Sequence, residues 1–477
     1  MFRQLLNRRE IFHMKSKTKK IIAVLSAAAM VLSFGACSKQ TANNSTKEVK
    51  LWMNSGHSKS FWEEKVKQFN DSQGKDLGVK LVLESKTDSS YDQQLEIALQ
   101  SGELPEMFFA GYATNIVDKE AVLSLEELPG MEETIAKYEP YMQENIHKVK
   151  GKVYALPFGI TTRGLIYNKD MFKAAGIVDE IGEAKPPKTY DELREAAKKL
   201  TDKSKNQYGI MFPVKWGAWV ESDITSLAYS SSGRDAYDPI SGTYDYSVYL
   251  PELELIKNLK DDGSVYPGAE GLDNDPARAK FAEGNIGMKI SYSFDVGVFS
   301  TQFPTKMEWG VAPLPVKDVD NCYNQHSYCS QTMYVNKNCI EKLGADTTSK
   351  IYQYLYSDKM IADLYKEGLE IPVIWDIVKD VELTDAANGW KEFSEMAAKS
   401  VIPSLKMPAK LNGVELSMQK IAVDEVWTKG TEPKAMLDEL TKLTNEGIET
   451  YKAEKPDLDY SIYIDKDWET KIRRDSF

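Results

Sequence analysis

Four short segments of this 477-residue chain combine aromatic rings with hydrogen-bonding side chains, and each follows a run of residues typical of a β-strand. Their candidate ligand-binding residues are Asn54, Ser55, His57, Tyr112, Asn115, Trp216, Trp219, Tyr292, Phe294 and Asp295. Rigid rings offer area to the apolar face of a ligand, and the polar side chains beside them pair with its polar edge. These segments favour an organic ligand over a metal ion, whose ligands would be His, Cys or clustered acids.

The chain carries none of the common catalytic or nucleotide-binding motifs. G-x-S-x-G, H-E-x-x-H, the P-loop and the dinucleotide fingerprint are all missing from the sequence. A glycosidase needs only two carboxylates about 5–10 Å apart, and Asp and Glu are plentiful, so a secreted hydrolase remains an alternative. No cofactor and no metal site are predicted.

The four segments are held by alternating strand and helix patterns. Strands are predicted over residues 48–52, 79–84 and 106–110, with helices over 60–70 and 91–101 between them, which indicates a parallel α/β sheet. Further predicted elements are strands 209–214 and 287–291, a helix to Leu200 that opens with a Thr189–Glu192 capping box, and helices 347–365 and 433–452. Ligands bind at the carboxyl ends of strands in such sheets, which is where the four segments lie.

Length and charge exclude several classes of protein. A chain of 477 residues is more than one hydrophobic core usually fills, so two domains are expected. The 60 basic and 72 acidic residues give a net charge of −12, which argues against a nucleic-acid partner. The 42% content of hydrophobic residues excludes a disordered chain.

The N-terminus has the anatomy of a secretory signal, predicted over residues 1–36 with Met14 as the better start. Lysines precede an apolar run from Ile21 to Ala36, and small residues close it before Cys37. This arrangement resembles the lipobox of bacterial lipoproteins, which implies that Cys37 is lipidated, with palmitate among the expected modifications. Residues 37–47 are then the lipidated cysteine and a polar, flexible tether.

Three cysteines remain in the mature chain, at positions 322, 329 and 339. The spacing Cys322-x3-His326-x2-Cys329 is compatible with a zinc site or with a disulfide between the two cysteines. It does not match the usual structural zinc spacings, and disulfides are common outside the cell, so a Cys322–Cys329 bridge is the prediction. The sequence leaves the connectivity open.

Five motifs occur in order between about residues 48 and 370. They are L-P-E-M-F at 104–108, Y-A-L-P with Y-N-K-D and A-G within 151–176, P-K-T-Y-D-E-L from 187, F-x-x-G-x-x-G-M within 281–291, and G-x-x-P-L-P at 310–315. Together they resemble the extracellular solute-binding proteins that deliver sugars to ABC importers, the maltose-binding-protein-like group.

The resemblance implies a two-lobed α/β fold of the periplasmic-binding-protein type, with crossover hinge segments and a helical C-terminal region. The N-terminal lobe would comprise residues 48–158 and 316–366, and the C-terminal lobe residues 159–308 and 373–477. The hinge crossovers would lie at 309–315 and 367–372, with the first near residues 158–164. A ligand would bind in the cleft between lobes that close around it by a hinge motion.

A sugar presents C–H faces to aromatic rings and hydroxyls to planar polar groups. With the family position of each loop, this adds five candidates to the ligand site: Arg163, Glu221, Asp223, Trp375 and Asp376. One of Trp216 and Trp219 could instead be a core residue, and Arg163 could close an inter-lobe ion pair.

The predicted function is therefore a substrate-binding lipoprotein that captures a sugar, an oligosaccharide by preference, and delivers it to an ABC transporter permease. The chain is expected to be a monomer held by lipid on the outer face of a bacterial cell membrane, and not an enzyme. The alternatives are a secreted carbohydrate-active hydrolase and a binding protein for a non-sugar solute.

Overall fold

The computed structural model describes residues 46–54, 58–86, 91–111, 114–329, 332–383 and 387–474. The predicted signal peptide, Cys37, almost all of the tether, Ser55, His57 and Tyr112 lie outside the described residues, as does the side chain of Asn115. Within the described ranges, no helix has both the length and the apolar character that a membrane span requires.

The strands of the described residues are short, and most belong to three sheets. They are β1 (Lys47–Asn54), β2 (Val79–Lys86), β3 (Met107–Ala110), β4 (Lys148–Val149), β5 (Lys152–Val153), β6 (Gly159–Thr161), β7 (Arg163–Asn168), β8 (Tyr208–Met211), β9 (Tyr237–Asp238), β10 (Thr243–Tyr244), β11 (Ile286–Tyr292), β12 (Trp309–Ala312), β13 (Tyr328–Cys329), β14 (Thr332–Val335) and β15 (Ile371–Pro372).

The helices cover the faces of these sheets and form most of the C-terminal region. They are α1 (Lys59–Asp71), α2 (Gln73–Leu77), α3 (Tyr91–Ser101), α4 (Thr114–Asp118), α5 (Glu132–Tyr138), α6 (Lys169–Ala174), α7 (Tyr190–Leu200), α8 (Thr225–Ser232), α9 (Leu250–Asp261), α10 (Asn274–Ala282), α11 (Asp295–Thr301), α12 (Asn338–Leu343), α13 (Ala345–Leu355), α14 (Asp358–Lys366), α15 (Trp390–Ala398), α16 (Lys434–Glu454) and α17 (Trp468–Ile472). Among the residues that the structure describes, two segments are π-helical, Val220–Ile224 and Lys420–Lys429. The single helix predicted over 347–365 is two helices, because Ser357 caps α14 by accepting a hydrogen bond from the Met360 N–H.

The first sheet has the strand order β14-β3-β1-β2 and confirms the predicted strand–helix alternation at the N-terminus. Strand β1 pairs in parallel with β2 and β3, and β14 joins β3 in the antiparallel sense. Helix α1 buries Trp62, Val66 and Phe69 against this sheet, the three residues whose helical spacing predicts one apolar face. We call this part of the molecule the first lobe.

The second sheet has the order β12-β7-β11-β8 and forms the core of the second lobe. Strand β11 runs parallel to β8 and antiparallel to β7. The predicted cap of α7 is confirmed, because the Thr189 side chain accepts a hydrogen bond from the Glu192 N–H. The Glu192 carboxylate reaches back one residue further than expected, to the Lys188 N–H at 2.7 Å.

A third sheet, β13-β6-β15, connects the two lobes, and we call it the connecting sheet. The predicted hinge crossover at 309–315 is wrong, because β12 pairs with β7 inside the second sheet. Pro313 and Pro315 follow β12, where missing N–H groups end the pairing. The chain then stays on the second lobe, where the Tyr323 N–H donates to the Ser230 carbonyl at 3.0 Å, and it enters the first sheet only at β14.

The predicted Cys322–Cys329 disulfide is also wrong, because both residues are free thiols, as is Cys339. Isolated backbone β-bridges join Tyr323 to Arg473 and His326 to Val401, and the backbone of Cys329 pairs with that of Ile160 in the connecting sheet. The chain between the two cysteines is therefore extended at about 3.3 Å per residue, which holds their Cα atoms much further apart than the roughly 7 Å limit of a disulfide.

A buried carboxyl in the second lobe makes stability depend on pH. Glu252 accepts a hydrogen bond from the Tyr190 hydroxyl at 2.6 Å, and burial raises its pKa from 4.5 to about 7. The folded state therefore binds this proton more tightly than the unfolded chain, so the stabilisation is complete below pH 4.5 and is lost as pH rises through about 7.

We expect Glu252→Gln to be more stable than the native protein at pH 8, by up to about 3 kcal/mol, because glutamine cannot ionise in the buried position. Melting temperatures at pH 5 and pH 8 measure the difference, which should shrink towards zero at the lower pH. Glu254→Gln changes an exposed residue of the same helix and is the control. An equal effect of the Glu252 substitution at both pH values would contradict the prediction.

Candidate ligand-binding site

A cavity of about 180 Å³ lies where the two lobes meet the connecting sheet. Asn54 and Ser58 line it from the first lobe, Thr161 from β6, and Ser293 and Phe294 from the turn between β11 and α11. The carboxyl ends of β1 and β11 thus meet at one place, as their loops predict, and Asn54 lines the cavity there. This edge of the sheets presents neutral hydrogen-bonding groups to the cavity.

Glu370, just before β15, is the acidic member of the cavity lining. It passes directly over Gly159, where a Cβ atom would lie 2.0 Å from the Glu370 carboxylate oxygen Oε1. Glycine at 159 therefore makes room for this carboxylate. Thr161, Ser293 and Glu370 have no distinctive sequence signal, so their place in the site becomes visible only in the folded chain.

Three aromatic rings extend from the cavity across the second lobe, and we call Phe294, Tyr292 and Trp216 the aromatic row. The Phe294 and Tyr292 rings stack with centroids 4.9 Å apart and planes 16° apart. The Trp216 ring meets Tyr292 edge-on at 6.0 Å. Each ring is half-buried, so part of its surface stays open to a ligand. The structure brings these three predicted residues together.

Arg163 contacts the aromatic row at Tyr292. Its guanidinium carbon lies 4.5 Å from the Tyr292 ring centroid and 4.6 Å from that of Tyr328. Nη2 donates to the Tyr292 hydroxyl at 3.1 Å, and Nη1 lies 3.3 Å from Nε2 of His326. With 3% of its surface exposed, Arg163 is enclosed by these rings, and the predicted direct ligand contact is wrong.

Tyr328 is a member of the site that the sequence pattern misses. Its hydroxyl donates to Oε1 of Glu221 at 2.5 Å, which joins the connecting sheet to the second lobe. Burial and the nearby Glu221 carboxylate raise the pKa of the Tyr328 phenol, so it stays a donor. Glu221 is itself exposed, and its place in the ligand site stays a prediction.

The predicted ligand contacts of Trp219 and Asp223 are wrong, because the turn after Trp216 and the π-helical segment that follows it place both side chains in the interior. Trp219 has no exposed surface and packs between Phe212 and Trp427, with ring centroids 5.9 and 5.8 Å away. Asp223 is buried, which raises its pKa to about 6 against the opposing effect of Lys289. Neither side chain reaches the surface that a ligand could contact.

Asp295 is a third correction and holds the turn that carries the aromatic row. It is completely buried and forms a 2.5 Å ion pair with Nη2 of Arg278. Its Oδ2 accepts hydrogen bonds from the Ser291 hydroxyl at 2.8 Å and from the Tyr292 N–H at 3.2 Å. Asp295 therefore acts on the site through Tyr292 and Phe294 and not by contact with a ligand.

Lys289 completes a buried charge cluster with Asp223, Asp295 and Arg278. Its Nζ donates to the Ile290 carbonyl at 2.7 Å, and burial lowers its pKa against the attraction of Asp295 and Asp223. The cluster holds two acids and two bases, so the attraction between opposite charges offsets part of the cost of burying them.

Trp375 and Asp376 lie away from the aromatic row. Trp375 packs edge-on against Tyr365 at 6.0 Å and lines a second cavity of about 690 Å³, formed with residues 400–405 and 462–465. Asp376 is exposed and pairs with Lys379 at 3.2 Å. Neither residue lines the first cavity, and their ligand role stays a prediction. In the part of the chain that the structure describes, no three His, Cys, Asp or Glu side chains come together as a metal site.

The family model for the bacterial extracellular solute-binding proteins matches residues 55–345, which is more than half of the chain. The chain belongs to this family. The aromatic row and the residues of the connecting sheet up to β13 fall within the matched range of this solute-binding protein.

Relatives of this solute-binding protein take different ligands. The maltotriose-binding protein of Pyrococcus abyssi is 26% identical over 354 residues, which cover 72% of this chain and 71% of the relative. The sn-glycerol-3-phosphate-binding periplasmic protein of Agrobacterium fabrum is 25% identical over 309 residues, or 62% of this chain and 67% of the relative. Binding proteins of Brucella abortus and Brucella suis whose names state no ligand are 25% identical over 267 residues, and this chain spans only 62% of their length.

Solved structures confirm the predicted two-lobed α/β fold of this solute-binding protein. An ABC transporter solute-binding protein of Thermotoga lettingae, bound with α-D-tagatose, superposes with a TM-score of 0.64 at 21% identity. The superposition covers 84% of this chain and all of that one.

Proposed function

We propose that this protein is the substrate-binding lipoprotein of an ABC importer and captures an oligosaccharide in the cavity between its lobes. The observation that carries the proposal is the aromatic row, three half-buried rings that lead out of a cavity lined by both lobes. The maltotriose ligand of the Pyrococcus relative and the sugar bound in the Thermotoga structure support the same ligand class.

The chemistry of the lining matches the surface of a sugar. Rings stack on the C–H faces of pyranose units, and a row of rings suits a chain of several units. Asn54, Ser58, Thr161 and Ser293 donate to and accept from hydroxyls, while Glu221 and Glu370 accept from them. Each group outside the aromatic row thus offers the directional bonds that tell one sugar hydroxyl from another.

Capture requires no bond to be made or broken. A ligand that bridges the lobes favours the closed arrangement by its differential affinity for the two states. The protein acts outside the cytoplasm, where a lipid on Cys37 and the following tether hold it at the membrane as a monomer beside the permease that receives the sugar.

We expect Trp216→Ala to weaken binding of maltotriose by about 1–3 kcal/mol, or roughly 5- to 150-fold in Kd, because it removes one platform of the aromatic row. Isothermal titration calorimetry measures the loss directly. The matched control is Trp375→Ala, which removes another half-buried tryptophan that lines the second cavity. Full affinity in Trp216→Ala would contradict a sugar platform at this position.

The Agrobacterium relative makes an anionic polyol the second candidate ligand. A panel of neutral oligosaccharides and sn-glycerol-3-phosphate, screened by the rise in melting temperature, separates the two classes. A rise with the phosphate alone would overturn the sugar proposal. Labelled oligosaccharides recovered intact after incubation are expected for a binding protein, and cleaved products would favour the hydrolase.

A further inference from the structure

The last part of the chain, residues 456–474, packs on the second lobe and carries no motif of the family. Trp468 is buried, and its indole N–H donates to the Gly233 carbonyl at 2.8 Å. Trp468 and Ile472 form a small apolar cluster with Tyr229 and Tyr323. We call residues 456–474 the C-terminal segment.

The backbone of the C-terminal segment also pairs with the chain that leads into the connecting sheet. The Ile472 carbonyl accepts from the Asn324 N–H at 2.8 Å, and Arg473 bridges Tyr323 in the antiparallel sense. Three residues further on, the Ser327 N–H donates to the Val401 carbonyl at 2.8 Å. Residues 323–327 are thus held from both sides just before β13.

A continuous line of contacts runs from this cluster to the aromatic row. The Tyr229 ring packs on the His326 ring with centroids 4.2 Å apart. Burial and the nearby Arg163 lower the pKa of His326 well below its usual value, so the ring is neutral and Nε2 can accept the hydrogen of Arg163 Nη1 at 3.3 Å. Arg163 in turn donates to the Tyr292 hydroxyl.

We infer that Trp468 is a positioning residue for the ligand: it fixes Tyr229 and His326, and through them the Arg163 guanidinium against which Tyr292 and Tyr328 pack. The inference rests on the proposed function, because it assigns the C-terminal segment a part in the same site. A segment that only clamps the fold would change the melting temperature and leave the affinity of the folded protein as it was.

Trp468→Ala, measured by calorimetry well below its melting temperature with maltotriose as the probe, is expected to bind about tenfold more weakly than the native protein. Trp468→Phe keeps a planar ring in the cluster and is expected to restore most of the affinity. The control is Tyr463→Ala in the same segment, since Tyr463 is buried in a separate cluster with Tyr237, Met407 and Ile448. Should Trp468→Ala not fold, Trp468→Leu keeps most of the apolar volume and is expected to lose about threefold.

Amide hydrogen exchange of the protein without ligand tests the same inference independently of the sugar. Trp468→Ala is expected to raise exchange in residues 323–329 and 290–295, whereas Tyr463→Ala leaves both ranges unchanged. A native protein that binds no sugar on the panel would remove the proposed function, and the exchange data would still decide the positioning. Unchanged exchange in residues 290–295 together with native affinity in Trp468→Ala overturns the inference.

Discussion

Trp219→Ala is expected to lower the free energy of unfolding by about 3–5 kcal/mol, the usual loss when a large aromatic side chain is removed from a core. Trp219 has no exposed surface and lies between Phe212 and Trp427 in the second lobe. Alanine leaves a void that these two rings can fill only in part, because each is itself held by the surrounding core.

The comparison with Trp216→Ala makes this result decisive, because the two tryptophans are three residues apart and differ in environment. Trp216 is half-buried, so we expect its removal to cost stability much less while it weakens the ligand. Thermal unfolding of both variants beside calorimetric titration separates the effects. A large stability loss from Trp216→Ala, with a small one from Trp219→Ala, would show that the two roles are exchanged.

Asp295→Asn is expected to lower stability by about 3–5 kcal/mol, since it leaves the Arg278 guanidinium in the interior without its buried counter-charge. Nη2 of Arg278 lies 2.5 Å from Oδ1 of Asp295, and both residues are largely buried. The substitution also leaves Lys289 facing Arg278 with one acid fewer in the buried charge cluster. The Tyr292 N–H loses its charged acceptor as well, so we expect weaker ligand binding together with the loss of stability.

Asp275→Asn is the matched control for the ion pair. Asp275 binds the same guanidinium at 2.7 Å, but its side chain is 56% exposed, and exposed pairs contribute less than about 1 kcal/mol. Denaturant unfolding of the two variants measures the contrast. An equal loss of unfolding free energy in Asp295→Asn and Asp275→Asn would mean that burial does not determine how much each ion pair stabilises the protein.

The elements of the fold follow closely from local sequence. The alternation of strand and helix at the N-terminus, the apolar face of α1 and the Thr189 cap all depend on residues within one or two turns of each other, and all are confirmed. The aromatic row could also be predicted from the sequence, because loops at the carboxyl ends of strands meet in this class of sheet.

The roles of individual side chains were harder to predict from the sequence, because they depend on the direction of a turn and on residues far away in the chain. The turn after Trp216 and the π-helical segment that follows it place Trp219 and Asp223 in the interior, and nothing in the spacing of the two tryptophans distinguishes that outcome from two exposed rings. Asp295 is placed in the interior by Arg278, a residue 17 positions earlier on another helix. Tyr328 joins the site only because β13 pairs with β6, more than 160 residues away in the chain.

The connecting sheet has a mechanical consequence. A single polypeptide linker leaves two bodies free to swivel, whereas hydrogen bonds between β6 and both β13 and β15 resist torsion and permit mainly bending across the ribbon. If the lobes close around a ligand as proposed, these bonds confine the movement to nearly one path, with Asn54 and Phe294 lining the cavity from the two lobes. Such a restricted movement costs little orientational entropy when a ligand contacts both lobes. More of the energy of the ligand contacts then contributes to affinity.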